Sequence, residues 1–307
     1  MSVSPSKKLI DWKKRRVYHR LGLQSYKVFS LSLGYPKANT EENLLLLYGF
    51  PKSSYYFRTV LEGLLGHFKR LVLFDFVGFG WSDKPNENFS YSLIEQTDMA
   101  LSLWTKLRVS GCHLIAHDMG NSVATELAAR QMQGQFPAAF NEGILSNTFT
   151  NGSVVLELAR LRITQKLLQS WRGAALKSIS SYPLFRHQII SAHWNSNLAE
   201  EEIQMLWEGN CLQGGNRKNH LIIEDYIKNH RRIKKQRWLS VLKKLVVPIN
   251  LSWGTDDTVT RFQFPKYLKE DSCPKAQLSL VQNVRHFCQL DHPTLWLKTI
   301  LQFYNLA

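Results

Sequence analysis

Residues 112–130, CHLIAHDMGNSVATELAAR, constrain the fold more than any other stretch of the chain. An apolar run of strand length stops at His117-Asp118-Met119-Gly120, and a helix-like run with small residues begins at once. A carboxylate at the tip of a core strand is expensive to bury unless its charge is stabilised there. A tight strand-to-helix turn does this, because its backbone N–H groups and the helix N-terminus face an anion. Such a turn also needs small residues two positions either side of its centre, and Ala116 and Gly120 stand there.

The same rhythm continues on both sides. YKVFSLSLG (26–34), ENLLLLYGFP (42–51), RLVLFDF (70–76) and EGILSNT (142–148) have strand character. Ser53 or Ser54 is placed to cap a helix through SSYYFRTVLEGLLGHF, and Ser92 with Glu95 forms a capping box before LIEQTDMALSLWTKL. Alternation of this kind predicts an α/β fold, a mostly parallel sheet flanked by helices on both faces. Residues 150–240 carry helical patterns without a convincing strand. VPINLSWG (247–254) and AQLSLVQ (276–282) restore strands, and Pro293 opens a final helix through PTLWLKTILQFY. The expected division is residues 1–149 as the first part of the core, 150–240 as a helical insertion and 241–307 as the second part.

A chain of 307 residues accommodates one large domain with an insertion. No run of about 18 uncharged apolar residues occurs, so no membrane span is predicted. The basic N-terminal segment lacks the apolar stretch of a signal peptide, and a cytoplasmic location is expected. Cys112, Cys211, Cys273 and Cys288 are scattered without a C-x-x-C pair, and are read as reduced thiols, two of them packed. The formal net charge of +15 is concentrated in KKLIDWKKRR and KNHRRIKKQRW. These segments are read as a soluble tail and a solvated helix face, with weak contact to an anionic membrane surface as the alternative. No nucleic-acid module appears, so a nucleic-acid partner is not expected. With no phosphate-cradling glycine loop and no metal-ligand cluster, no cofactor and no metal are expected either. A small apolar substrate remains as partner, for a monomer or homodimer.

Ligands of an open parallel sheet bind at the carboxyl ends of its strands. Asp118, Asp257 in WGTDDTV and His286 in VRHFCQLD all fall there, in the order nucleophile, acid, histidine. There is no G-x-S-x-G, and Ser122 lies too far into the helix to replace Asp118. A carboxylate displaces a leaving group from an sp³ carbon and yields an alkyl ester. His286 would then activate water against that ester, with Asp257 holding its tautomer. The amides of Met119 and Phe50 are placed to stabilise the oxyanion.

YGFP, DFVGFGWSDKP, HDMG, WGTDD and RHFCQLDHP, in this order, resemble the signature blocks of the aspartate-nucleophile α/β-hydrolases, the epoxide hydrolases and haloalkane dehalogenases. Within that group the chain looks most like relatives of the mesoderm-specific transcript protein, a match strengthened by MLWEGN and DYIKNHRRIKKQRW. The resemblance runs from about residue 26 to the end. It implies an α/β-hydrolase fold whose inserted helices form a cap, and places Asp257 rather than Asp256 as the acid. It also implies that His117 orders the turn around Asp118. Asp75, Gly78, Gly80, Ser82 and Asp83 belong to a turn whose glycines suit unusual backbone angles, and are read as structural.

Departures from the family pattern sort the chemistry. Dehalogenases of this type place a tryptophan directly after the nucleophile and often an asparagine at the Phe50 position to hold the halide. Met119 has no hydrogen to donate, so epoxide opening leads, with Tyr182 and Tyr226 of the cap as the substrate-binding proton donors. Haloalkane or ester hydrolysis by the same three residues is the alternative, with Trp171, Trp194 or Trp207 as substitute donors. A second alternative is a non-catalytic binding protein, favoured by Tyr48 where the family has a histidine. A larger phenol there would shift the Phe50 amide.

Overall fold

The computed structural model describes residues 4–152, 181–193, 198–224 and 237–305. Eight strands form one sheet, in the order β1-β2-β4-β3-β5-β6-β7-β8. β1 (Val17–Leu21) and β2 (Tyr26–Gly34) make an antiparallel hairpin at one edge, and β2 also runs antiparallel to β4 (Arg70–Phe74). The other neighbours are parallel: β3 (Asn43–Leu47), β5 (Gly111–His117), β6 (Gly143–Thr150), β7 (Ile249–Gly254) and β8 (Gln277–Val281). Every residue of NLLLL and RLVLF is buried, as expected for strands covered on both faces. This is the mostly parallel, helix-flanked sheet that the alternation predicts.

The N-terminal segment departs from its reading as a soluble tail. Helix α1 (Lys7–Lys14) turns Leu9 and Trp12 into the core, where Trp12 meets the edge of Tyr55 at 5.2 Å between ring centroids. Two apolar residues three apart share one helix face, a pattern too short to stand out among six cations. β1, which follows, has only one fully buried residue, Leu21, and so carries little strand periodicity.

The helix expected from Ser53 is broken into a 3₁₀ turn (Ser54–Phe57) and the short α2 (Leu61–Leu65). The Ser54 N–H is held instead by Asp75 Oδ1 at 2.7 Å, which ties this segment to the turn after β4. Ser92 caps α3 (Leu93–Lys106) by accepting from the Glu95 N–H at 3.1 Å, but the Glu95 carboxylate reaches back to Ser90 rather than to Ser92. α4 (Met119–Met132) follows β5 without a linker and is buried along most of its length.

Among the described residues no strand lies between β6 and β7. That stretch contributes α5 (Tyr182–Ala192) and α6 (Glu200–Cys211). Phe185, Ile189, Ile203, Leu206 and Trp207 from these helices pack on Tyr56, in the 3₁₀ turn after β3, and on Phe287, in the segment after β8. Arg237 and Trp238 bring the end of the basic segment onto the buried Glu126 of α4, at 2.9 and 3.0 Å. α7 (Leu239–Lys244) then leads into β7, and α8 (Gln263–Tyr267), α9 (Cys288–Asp291) and α10 (Pro293–Phe303) complete the chain. All four cysteines are free thiols, and three rather than two are buried. No helix among the described residues is long and apolar enough to cross a membrane.

Candidate active site

β5 delivers Asp118 to the head of α4 with φ 55° and ψ −120°, a backbone geometry that side chains rarely adopt. The chain doubles back so tightly that only glycine fits beside it. A Cβ on Gly49 would lie 2.2 Å from the Asp118 Cβ, and one on Gly120 would lie 2.7 Å from the Leu47 carbonyl oxygen. The loop that carries Gly49 and Phe50 is thereby pressed against Asp118.

β7 delivers Asp257 and the loop after β8 delivers His286. Asp257 accepts from the Val259 and Thr260 N–H groups at 2.7 and 3.0 Å, from the Thr260 hydroxyl at 2.7 Å and from the Asn151 amide at 2.8 Å. His286 Nδ1 donates to the same carboxylate at 3.0 Å, and its Nε2 faces Asp118 Oδ2 at 3.9 Å. The His286 backbone N–H is anchored on the Ala192 carbonyl at the end of α5. Asp256 is exposed and Asp257 is buried, as expected if the second of the two works with the histidine. The structure thus brings Asp118, His286 and Asp257 together from three strand ends.

Sequence reasoning missed Lys52. Its side chain is only 1% exposed, and its ammonium donates to Asp118 Oδ2 at 3.0 Å. The same nitrogen lies 3.3 Å from His117 Nε2 and 3.5 Å from His286 Nε2, and 4.4 Å over the Phe287 ring. The available signal was that Lys52 is the one charged residue between Leu44 and Phe57. Asn151, just past β6, was missed too; nothing but its position at a strand end marked it.

The hydrogen-bond network fixes the protonation pattern. The Thr150 hydroxyl gives its proton to the Ala116 carbonyl at 3.0 Å, so it accepts from His117 Nδ1 at 3.2 Å. This leaves the His117 Nε2 lone pair for Lys52. Burial, together with the charges of Lys52 and His286, pushes His117 well below its ordinary range and keeps it neutral. Burial alone would raise Asp118, but the Lys52 charge and then His286 more than offset it, holding the carboxyl well below the usual range. For His286, burial works downward and the Asp257 carboxylate more than reverses it, so the imidazole is more basic than its ordinary 6.5.

The remaining expected residues are distributed unevenly. Phe50 and Met119 both border Asp118, on the loop after β3 and at the first position of α4. Tyr48 turns its phenol into the core, where the oxygen accepts from the Phe76 N–H at 2.7 Å and the ring packs on Phe76 and Phe79. Tyr182 departs from its expected role: its hydroxyl donates to Glu200 in an exposed pair, and desolvation first and then this hydrogen bond raise the phenol to about 12. Its proton is thus committed to a carboxylate at the protein surface. Trp207 is buried in the seam between the inserted helices and the core. Tyr226, Trp171 and Trp194 lie outside the described residues. Asp75 is a structural anchor, buried and accepting from the Ser54 and Trp81 N–H groups, with no room for a side chain on Gly80 beside it. Among the described residues no cluster of side chains has metal-ligand spacing.

The family model of the alpha/beta hydrolase fold matches residues 42–293. LipZ of Mycobacterium tuberculosis is 36% identical over 262 residues, which span 84% of this chain and 86% of LipZ. The human mesoderm-specific transcript homolog protein is 30% identical over 276 residues, 86% of this chain and 79% of that protein. Among solved structures, the bromoperoxidase of Bacillus anthracis superposes with a TM-score of 0.75 at 14% identity, over 94% of this chain and 99% of its own. At that identity the likeness concerns the fold alone.

Proposed function

The chain belongs to the α/β-hydrolase fold family, and from that premise we propose that it hydrolyses small apolar electrophiles, epoxides first, through an ester on Asp118. The observation that carries this reading is the His286 imidazole, bonded to Asp257 through Nδ1 and facing Asp118 through Nε2. Asp118 attacks an epoxide carbon, and the C–O bond opens to an alkoxide that must be protonated. His286 then takes a proton from water as that water adds to the Asp118 carbonyl carbon. The Phe50 and Met119 amides stabilise the oxyanion, and Asp257 stabilises the imidazolium that forms. The helices between β6 and β7 act as a cap that shields the ester from bulk water.

Epoxides lead over haloalkanes because neither Met119 nor Phe50 offers a side-chain hydrogen to a departing halide. Intact-protein mass spectrometry of His286→Ala, incubated with epoxides and haloalkanes, tests the reading. Without the base the ester should persist, as an added mass that maps to Asp118. A modification on any other residue, or none with either class, would remove the aspartate-nucleophile assignment.

A further inference from the structure

We propose that Lys52 is the catalytic acid of this site, the group that hands its proton to the oxygen released when Asp118 opens an epoxide. The inference rests on the proposed Asp118 ester and names a residue that the reading above leaves without a role. Tyr182, the described cap tyrosine that was expected to serve, keeps its proton on Glu200. Lys52 instead touches the reacting carboxylate itself, at 3.0 Å, from a position closed to solvent.

The charge balance of the step favours it. Before reaction Lys52 and Asp118 form a neutral pair inside the protein. When an Asp118 oxygen bonds to the epoxide carbon, the carboxylate charge disappears and an alkoxide appears on the neighbouring carbon. The buried Lys52 ammonium would then face a neutral ester and a neutral His117 where it had faced a carboxylate, which disfavours its charged form. Transfer of one ammonium proton to the alkoxide gives an alcohol and a neutral amine, so no net charge is created at any stage. The acid gains strength as the ester forms, because the carboxylate charge that it touches is consumed by that bond.

The return half also closes. Water adds to the ester carbonyl carbon and gives one proton to His286. His286 passes that proton to the alcohol oxygen as it departs. Asp118 emerges as a carboxylic acid and returns its proton to the Lys52 amine across the same 3.0 Å contact. His117 Nε2, accepting from Lys52 at 3.3 Å, keeps the nitrogen in place through both protonation states.

Leaving groups separate this role from a merely electrostatic one, because a halide departs without a proton. The experiment uses His286→Ala, alone and combined with Lys52→Met or Lys52→Arg, against an epoxide and an alkyl bromide of the same carbon skeleton. Arginine keeps the charge but does not give up its proton. Folding is checked by thermal unfolding, and ester formation is read by intact mass. If Lys52 is the acid, both double variants form the bromide-derived ester, while epoxide-derived ester forms about 100-fold or more slowly. Epoxide ester at an undiminished rate in Lys52→Arg would show that only the charge matters and overturn the proposal. Loss of both esters in the double variants would make Lys52 a positioning residue and overturn it equally. No ester from either compound in His286→Ala alone would instead remove the Asp118 reading, and this proposal with it.

Discussion

Asp118 and Asp257 are two carboxylates at the tips of two parallel strands, held in opposite ways. Asp257 is enclosed by five hydrogen bonds, four from neutral backbone and side-chain donors and one from His286. Asp118 keeps 19% of its side chain exposed, faces the ammonium of Lys52 at 3.0 Å, and sits on strained backbone. Many weak neutral donors fix a carboxylate in place without being displaced during a reaction. One strong cation stabilises a carboxylate only while it stays ionised, so its grip changes when the carboxylate reacts. The first arrangement suits a group that orients, and the second a group that is consumed and regenerated.

The largest expected effect comes from removing the charge at the β5 tip. Asp118→Asn tolerates the positive φ and nearly preserves volume, so it isolates the loss of charge. Turnover of any substrate should be abolished. The fold should also lose about 3–5 kcal/mol, because the buried Lys52 ammonium loses the carboxylate that it touches at 3.0 Å. Urea unfolding at neutral pH measures this, and Asp118→Asn with Lys52→Met should recover most of the loss. Equal stability of the single variant and the parent would mean that the Lys52 contact carries no energy.

Asp257→Asn should be nearly as damaging to turnover for a different reason. The amide oxygen takes the place of Oδ1, where two backbone N–H groups point. The amide nitrogen then faces His286 Nδ1, which must become an acceptor and place its proton on Nε2, toward Asp118. The base is lost, and turnover should fall on the order of 10⁴-fold. Ester formation does not need that base. Rapid-quench analysis should therefore show a full burst of ester and then almost no product; a reduced burst would tie Asp257 to the nucleophile as well.

How much of this was legible in the sequence follows from how local each signal is. The order of strands and helices, the Asp118 turn and the positions of Asp257 and His286 are written in periodicity and in small residues at fixed offsets. α1 was not legible, because Leu9 and Trp12 give its buried face only two apolar positions before the helix ends, and Trp12's partner Tyr55 lies far along the chain. Lys52 was not legible for another reason. A lysine in a loop is ordinarily solvated, and only the approach of β5 to the loop after β3 turns it into the partner of Asp118. Register between parallel strands sets that approach, and one strand's sequence does not contain it.

The two carboxylates should also separate along the pH axis. Asp118 stays ionised far below its ordinary 3.8, so ester formation has no acid limb between pH 5 and 7. His286 is raised above 6.5, and it works only when neutral, so steady-state turnover should fall as pH drops through that raised value. For stability the signs are opposite. The raised His286 contributes fully below 6.5 and loses its contribution as pH climbs through the folded value. The lowered Asp118 contributes above 3.8 and loses its contribution as pH falls through its folded value. Ester burst and steady-state rate, followed on one sample across pH, should therefore diverge on the acid side. Parallel decline of both would place the titrating group at Asp118.

Asn151→Gly probes the comparison most gently. Glycine accepts the positive φ of 41° found at this residue, so the substitution removes the side chain without adding backbone strain. Asp257 loses one of its four neutral donors, and the Cys288 thiol loses its acceptor at 3.3 Å. With less stabilisation from neutral donors, the carboxylate holds the His286 proton more strongly. The acid limb of turnover should move upward by about one pH unit at most, with a stability cost of about 1–2 kcal/mol. Burst amplitude should not change, because Asn151 touches the orienting carboxylate and not the reacting one. A fall in the burst itself would show that the two strand tips are coupled through more than the imidazole between them.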